Sequence, residues 1–217
     1  MPLINLSVQP SILSPILAEI RDINQQSDRM RFRYNMERCG EILAYEISKH
    51  LEFKPAQVTT PLGTAHASVL NEQPVVGAIL RAGLALHQGM IRFFDRADNA
   101  FISAYRKHRP DGSFDIAIEH VSCPPLQDRI FILADPMLAT GRSMVITLQQ
   151  LFTAGRPKVI HLACVIAARQ GIEHVQHHFP DLTIWTCALD EELNAKGYIV
   201  PGLGDAGDLS YGPKAQH

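Results

Sequence analysis

The chain has 217 residues, 46% of them hydrophobic and 19% charged, which is enough apolar material for one sizeable core; a single domain over residues 1–217 is expected. A formal net charge of −2 gives no overall attraction to nucleic acid or to an anionic membrane, so any phosphate recognition has to be local. No apolar run is as long as a membrane span, and the start of the chain lacks the basic and apolar segments of a secretory signal; the expectation is a cytoplasmic protein with no membrane and no nucleic-acid partner.

Residues 11–50 are mostly helical in pattern, with Phe32, Met36, Ile42, Leu43 and Ile47 set among charges in the stretch 28–49. From residue 75 onward apolar runs alternate with helical periodicity, as in consecutive βαβ units of a parallel sheet. Residues 75–80 read as a buried strand and 84–94 as its helix. Residues 129–134 and 143–152 repeat the pair, followed by a strand at 158–167, a helix at 169–179 and a strand at 183–188. These strands carry apolar residues without polar alternation, which predicts cover on both faces. Between the first two units lies a polar excursion, 105–127, with a possible hairpin at 114–121; a stretch of this kind suits a lid or arm. The segment 198–212 is rich in glycine and almost without periodicity.

Cys39, Cys123, Cys164 and Cys187 form no CxxC pair and read as buried or partly buried thiols. His174, His177 and His178 share a helical face but lack the spacing of a metalloprotease site, and read as a solvated surface.

The sharpest local signal is Asp135-Pro136-Met137-Leu138-Ala139-Thr140-Gly141-Arg142-Ser143, directly after a predicted strand and before a helix. A small-residue turn entering a helix offers unpaired N–H groups to a phosphate, and ligands of parallel sheets sit beyond the carboxyl ends of the strands. Thr140 and Ser143 add hydroxyl donors, and Asp135 can accept hydrogen bonds from a ribose diol. The loop has neither the GK[ST] of an ATPase nor a GxGxxG, so ATP hydrolysis and dinucleotide binding are disfavoured. An ordinary βα turn with capping residues is the alternative reading of this segment by itself. Leu80-Arg81-Ala82-Gly83-Leu84 also joins a strand to a helix, which places it on the same sheet edge, with Arg81 either a fork of donors for an anion or a surface charge at a helix start.

The Asp135 loop resembles the 5-phosphoribosyl 1-diphosphate (PRPP) signature of type I phosphoribosyltransferases, and DPMLATG resembles the uracil-specific branch. Phe32-Arg33, Leu43-Ala44-Tyr45-Glu46, Ile79 to Leu84 and Gly197 to Asp208 are similar to blocks of that family in its order, so the likeness runs from about residue 27 to 212. The resemblance implies an α/β type I phosphoribosyltransferase fold, a mostly parallel central sheet flanked by helices. It also implies a hood from residues 1–50 and 190–217 and a β-arm. It implies PRPP held by Arg81, Arg106, the run Asp135 to Ser143 and Asp205, with Asp135, Arg81 and Arg106 serving catalysis. Main-chain atoms of Ile199, Gly204 and Ala206, with Asp205 beside them, would hold uracil. Mg²⁺ would be held mainly by PRPP, UMP and diphosphate would be the products, and the assembly would be a homodimer or larger.

Three departures from the family stand out. The lid reads His108-Arg109-Pro110-Asp111-Gly112-Ser113 instead of an acidic, threonine-containing run. Leu209 follows Asp208 where a basic residue is usual, with Tyr211 in place of a phenylalanine. Arg142 occupies the place of a second glycine, where it either crowds a positive-φ position, points outward from a first helical turn or adds charge at the phosphate. Rival readings are a pyrimidine-responsive nucleotide- or RNA-binding regulator on the same fold and a transferase for another base.

Overall fold

The computed structural model describes residues 2–108 and 114–214, leaving out the side chains at 105–108, 114–117 and 154. In chain order the elements are β1 (Leu3–Asn5), α1 (Leu13–Arg21), α2 (Arg29–Ser48), β2 (Phe53–Thr60), β3 (Gly63–Leu70), β4 (Val75–Leu80), α3 (Gly83–Met90), β5 (Asp98–His108) and β6 (Phe114–Ser122). There follow β7 (Ile130–Ala134), β8 (Met137–Leu138), α4 (Arg142–Leu151), β9 (Val159–Ala168), α5 (Arg169–His178), β10 (Thr183–Asp190), β11 (Glu192–Leu193), β12 (Ile199–Val200) and α6 (Ala206–Tyr211).

The main sheet has eight strands, ordered β1-β10-β9-β7-β4-β5-β6, with β8 added beside β9. Every pairing in it is parallel except that of β6 with β5. The apolar runs produce this arrangement because successive strand residues face opposite sides. In β7, Ile130, Ile132 and Ala134 join the apolar cluster on the face covered by α1, α2 and α3, whereas Phe131 and Leu133 join the cluster under α4 and α5. α2 starts where Asp28 accepts a hydrogen bond from the Arg31 N–H at 3.0 Å, satisfying a donor of the first turn. Phe32, Met36, Leu43 and Ile47 are then all buried on one face of this helix.

Three regions differ from the sequence expectation. The hairpin expected near 114–121 exists as β6, yet it lengthens the main sheet: it pairs with β5 from Phe101↔Ser122 to His108↔Phe114. Residues 109–113 of the expected lid lie outside the described residues. The freestanding two-stranded sheet is instead β2–β3, paired from Phe53↔Leu70 to Thr60↔Gly63, and none of its residues is buried. The helix expected at 84–94 ends at Met90.

The strand order fixes where a ligand can sit. From β4 the chain proceeds through α3 to β5 on one side, and returns to place β7 on the other side of β4. The connections leaving β4 and β7 therefore diverge, and a crevice opens between them at the carboxyl edge of the sheet.

Candidate active site

Both loops singled out in the sequence flank this crevice. After β4 come Arg81, Ala82 and Gly83; after β7 comes the run beginning at Asp135. They approach closely, since a Cβ on Gly83 would lie 2.6 Å from the Ala134 carbonyl oxygen.

The β7 loop is anchored on β9 at its start and packs on α5 at its end, where a Cβ on Gly171 would lie 2.3 Å from the Ala139 carbonyl oxygen. The Asp135 N–H donates to the Ala163 carbonyl at 3.1 Å, and the Pro136 carbonyl accepts from the N–H groups of Val165 and Ile166 at 3.0 Å each. Met137 and Leu138 add a short parallel pairing with β9, which the sequence reading did not anticipate. At Gly141 the backbone enters the left-handed region at φ +75° and α4 begins with Arg142. The positive φ thus falls on the glycine. Arg142 is the exposed first residue of the helix, so it does not occupy the positive-φ position and does not crowd it. The first amides of an α-helix lack intrahelical acceptors, and here the Arg142 N–H meets only the Thr140 hydroxyl, at 3.5 Å, an arrangement that suits an anion.

Asp135 keeps part of its surface open while protein crowds it on most sides. Burial pushes its carboxyl up to about 7, against a hydrogen bond from the Met137 N–H that favours ionisation; the nearby Asp205 carboxylate adds to the upward shift. A carboxyl poised near neutrality in a crevice is the kind of group that functional sites collect.

Arg81 is the cation of the crevice. Its Nη2 donates to the Asp208 carboxylate at 3.1 Å and to the Gly212 carbonyl at 3.0 Å, while its Nε is buried with no partner among the described residues. A buried guanidinium donor left unpaired costs free energy unless a ligand completes it. Asp208 lies on α6, an element of the tail that the sequence did not reveal. The Asp205 side chain caps this helix by accepting the Asp208 N–H at 2.9 Å. Leu209, which replaces the usual basic residue, packs on the apolar core, and the Asp208 charge is met by Arg81 from across the crevice. Tyr211 lies under the Arg33 guanidinium, 5.9 Å from the ring centre, and Arg33 also donates to the Ser210 carbonyl at 2.7 Å. α2 thereby helps to hold the tail in place.

The tail meets both loops. A Cβ on Gly207 would lie 3.2 Å from Asp205 Oδ1 and 3.7 Å from Ala82 Cβ, and one on Gly197 would lie 3.5 Å from Thr140 Cγ2. The structure therefore brings Arg81, Asp135, Thr140 and Asp205 near one another, with Ile199, Gly204 and Ala206 on the tail segment between the contacts at Gly197 and Gly207. The Arg106 backbone lies within β5, next to β4, but the Arg106 side chain lies outside the described residues. Two other surface hollows, lined by Val121, Cys123 and Pro124 and by Asn5, Val8 and Leu13, share no residue with this crevice.

A sequence profile described as uracil phosphoribosyltransferase matches residues 7–213. The chain is 48% identical to the uracil phosphoribosyltransferase of Porphyromonas gingivalis over 215 residues, 99% of this chain and 100% of the relative. It is similar in structure to the AQ2163 protein from Aquifex aeolicus, with a TM-score of 0.85 at 28% identity, covering 97% of this chain and 98% of that one. A hypoxanthine phosphoribosyltransferase from Staphylococcus aureus shares the fold, with a TM-score of 0.52 at 9% identity over 84% of each chain. The sheet, its flanking helices and the crevice are those of the type I phosphoribosyltransferase fold, and the chain belongs to the uracil phosphoribosyltransferase family.

Proposed function

We propose that this chain transfers the phosphoribosyl group of PRPP to N1 of uracil in the crevice between the β4 and β7 loops, releasing diphosphate and forming UMP. The observation that carries the reading is the convergence of three parts with separate tasks: a turn into a helix N-terminus at Thr140 to Ser143, a guanidinium at Arg81 whose buried Nε has no partner among the described residues, and a glycine-rich wall at 199–206. The turn suits the 5′-phosphate, Arg81 the diphosphate and Asp135 the ribose diol. The peptide groups of Ile199, Gly204 and Ala206, with Asp205 beside them, suit the donor and acceptors along one edge of uracil.

The C1–O bond to diphosphate breaks ahead of C1–N1 bond formation on the opposite face, inverting C1, and the N1 proton passes to solvent. Arg81 stabilises the departing charge, and the loops supply alignment, an effect worth up to about 7–11 kcal/mol in favourable cases. The basic stretch around Arg106 belongs to the same proposal as a further diphosphate contact.

Among the described residues no three His, Cys, Asp or Glu side chains gather into a metal cage, whereas Asp135 and Asp205 form a carboxylate pair beside the phosphate turn. This donor set fits Mg²⁺ that is bound mainly by the diphosphate, with Asp135 and Asp205 reaching it directly or through water; when bound it neutralises leaving-group charge. A homodimer is part of the proposal. It is supported by the freestanding β2–β3 hairpin, which exposes Phe53, Val58, Leu62 and Val69 and would be marginal without a partner surface. A cytoplasmic site of action completes it; among the described residues no helix is long and apolar enough to cross a membrane.

A competition assay with uracil, cytosine, hypoxanthine and orotate, each offered with PRPP, tests the reading: nucleotide should form from uracil. Nucleotide from hypoxanthine or orotate in preference to uracil contradicts it.

A further inference from the structure

Uracil recognition through peptide groups has a particular demand. A side chain can change rotamer to meet a ligand, but a backbone amide or carbonyl is aimed only by holding the chain itself in place. The tail loop therefore needs an anchor, and its first turn has one that lies far away in sequence.

Gly202 sits at φ +59°, where a Cβ would run into the Ile199 carbonyl, so the turn folds Gly202 directly onto the backbone of Ile199. Both peptide groups of Gly202 are held by one charge pair. The Gly202 N–H donates to Asp190 Oδ2 at 2.9 Å, and the Gly202 carbonyl accepts from Arg21 Nη1 at 2.9 Å. Arg21 and Asp190 are themselves joined by a two-pronged bridge, Nη1 to Oδ2 at 2.9 Å and Nη2 to Oδ1 at 2.8 Å. Arg21 closes α1 and Asp190 closes β10, so the clamp ties the tail to the hood helix and to the sheet at once. The Arg21 side chain is 24% exposed and that of Asp190 is 7% exposed, which keeps water from competing for these bonds. Burial pushes the Asp190 carboxyl up, but the bonds from Arg21 and Gly202 outweigh it and hold the group below its ordinary value, ionised at neutral pH.

We propose that Arg21 and Asp190 form a positioning pair that fixes the backbone from Ile199 to Ala206 against the pyrimidine edge and so sets the choice of base. The inference rests on the proposed transfer to uracil. Neither residue touches the reacting atoms; each acts through Gly202. Only a guanidinium can bridge the carboxylate with both prongs and reach the Gly202 carbonyl with the same nitrogen, so lysine keeps the charge and loses the fork.

The test is steady-state kinetics of the full chain with Arg21→Lys and Asp190→Asn, with uracil, cytosine and PRPP varied and thermal melting followed alongside. The expected result is a KM for uracil raised about ten-fold or more with the KM for PRPP within about two-fold of wild type. The preference for uracil over cytosine in kcat/KM should fall about ten-fold or more, because misplaced peptide groups no longer penalise the wrong edge. Unchanged base preference, or KM values for both substrates rising together with a lowered melting temperature, overturns the proposal. Should a single variant fail to fold, the double Arg21→Leu, Asp190→Leu variant removes both charges without stranding either, and the same split between substrates is required of it. A wild-type chain that forms no UMP would overturn the proposed transfer itself, whereas active wild type with unshifted variants overturns the pair alone.

Discussion

Replacing Asp135 with asparagine should make the ligand-free protein more stable and the enzyme nearly inactive. The carboxyl titrates near 7 in the folded chain against an ordinary value of 3.8. A folded-state value above the unfolded one means that the native protein holds an extra proton between about pH 4 and 7. The stability this gives is present at low pH and is lost as the pH rises through about 7. At about 1.36 kcal/mol per unit, the gap from 3.8 to about 7 sets a ceiling of about 4 kcal/mol on the cost of the buried charge. Solvent reaching the open part of the residue reduces this to roughly 1–2 kcal/mol, or roughly 2–8 °C in Tm for a chain of this size. Calorimetric melts of wild type and Asp135→Asn at about pH 8 and about pH 5 measure the effect. The other acids of the chain cancel in the comparison, so the variant should melt higher at the upper pH, by a margin that shrinks to less than half at the lower. PRPP should then raise the Tm of wild type and leave the variant in place. A variant no more stable than wild type at the upper pH, or one stabilised by PRPP as wild type is, would refute the reasoning.

Arg81→Ala removes the guanidinium that meets the diphosphate and should lower kcat/KM for PRPP about a hundred-fold or more, read from initial rates of UMP formation. Arg142→Gly should change the same constant by no more than about three-fold, since the positive φ is carried by Gly141 and Arg142 is an exposed first residue of α4. Gly141→Ala, by contrast, faces the Gly171 carbonyl at 2.8 Å and Val175 Cγ2 at 3.2 Å from a left-handed position. It should cost about 1–3 kcal/mol in denaturant melts and weaken PRPP binding in titration calorimetry. In wild type, kcat/KM for PRPP should rise with pH through about 7 as Asp135 ionises, measured at constant ionic strength. Replacing residues 53–70 with a short Gly-Ser linker should reduce the sedimentation coefficient to that of a single chain if the hairpin clasps a second copy.

The central strands were legible because they are covered on both faces: β4 and β7 are wholly apolar runs, and β9 and β10 are mainly apolar with few polar residues to break them. The two loops at the carboxyl edge were legible for a related reason, since small and hydroxylated residues directly after a buried strand have little structural purpose except to expose amides. The β2–β3 hairpin escaped notice because FKPAQVTT and GTAHASVL face no core; without a buried side, no period of two is written into the sequence. α6 was hidden by its length of six residues and its glycine, and is defined by the Asp205 cap and by arginines from elsewhere. The bridge between Arg21 and Asp190 joins positions 169 residues apart, and Arg81 meets Asp208 across 127. Such partners are brought together by topology, so no local pattern announces them.

The most direct measurement is a crystal structure of the chain with UMP. The account predicts the phosphate on the amides of Thr140 to Ser143, the ribose hydroxyls at Asp135 and the pyrimidine edge against the backbone of Ile199, Gly204 and Ala206. UMP bound elsewhere, or lying in the crevice with its base turned away from the tail, would contradict it.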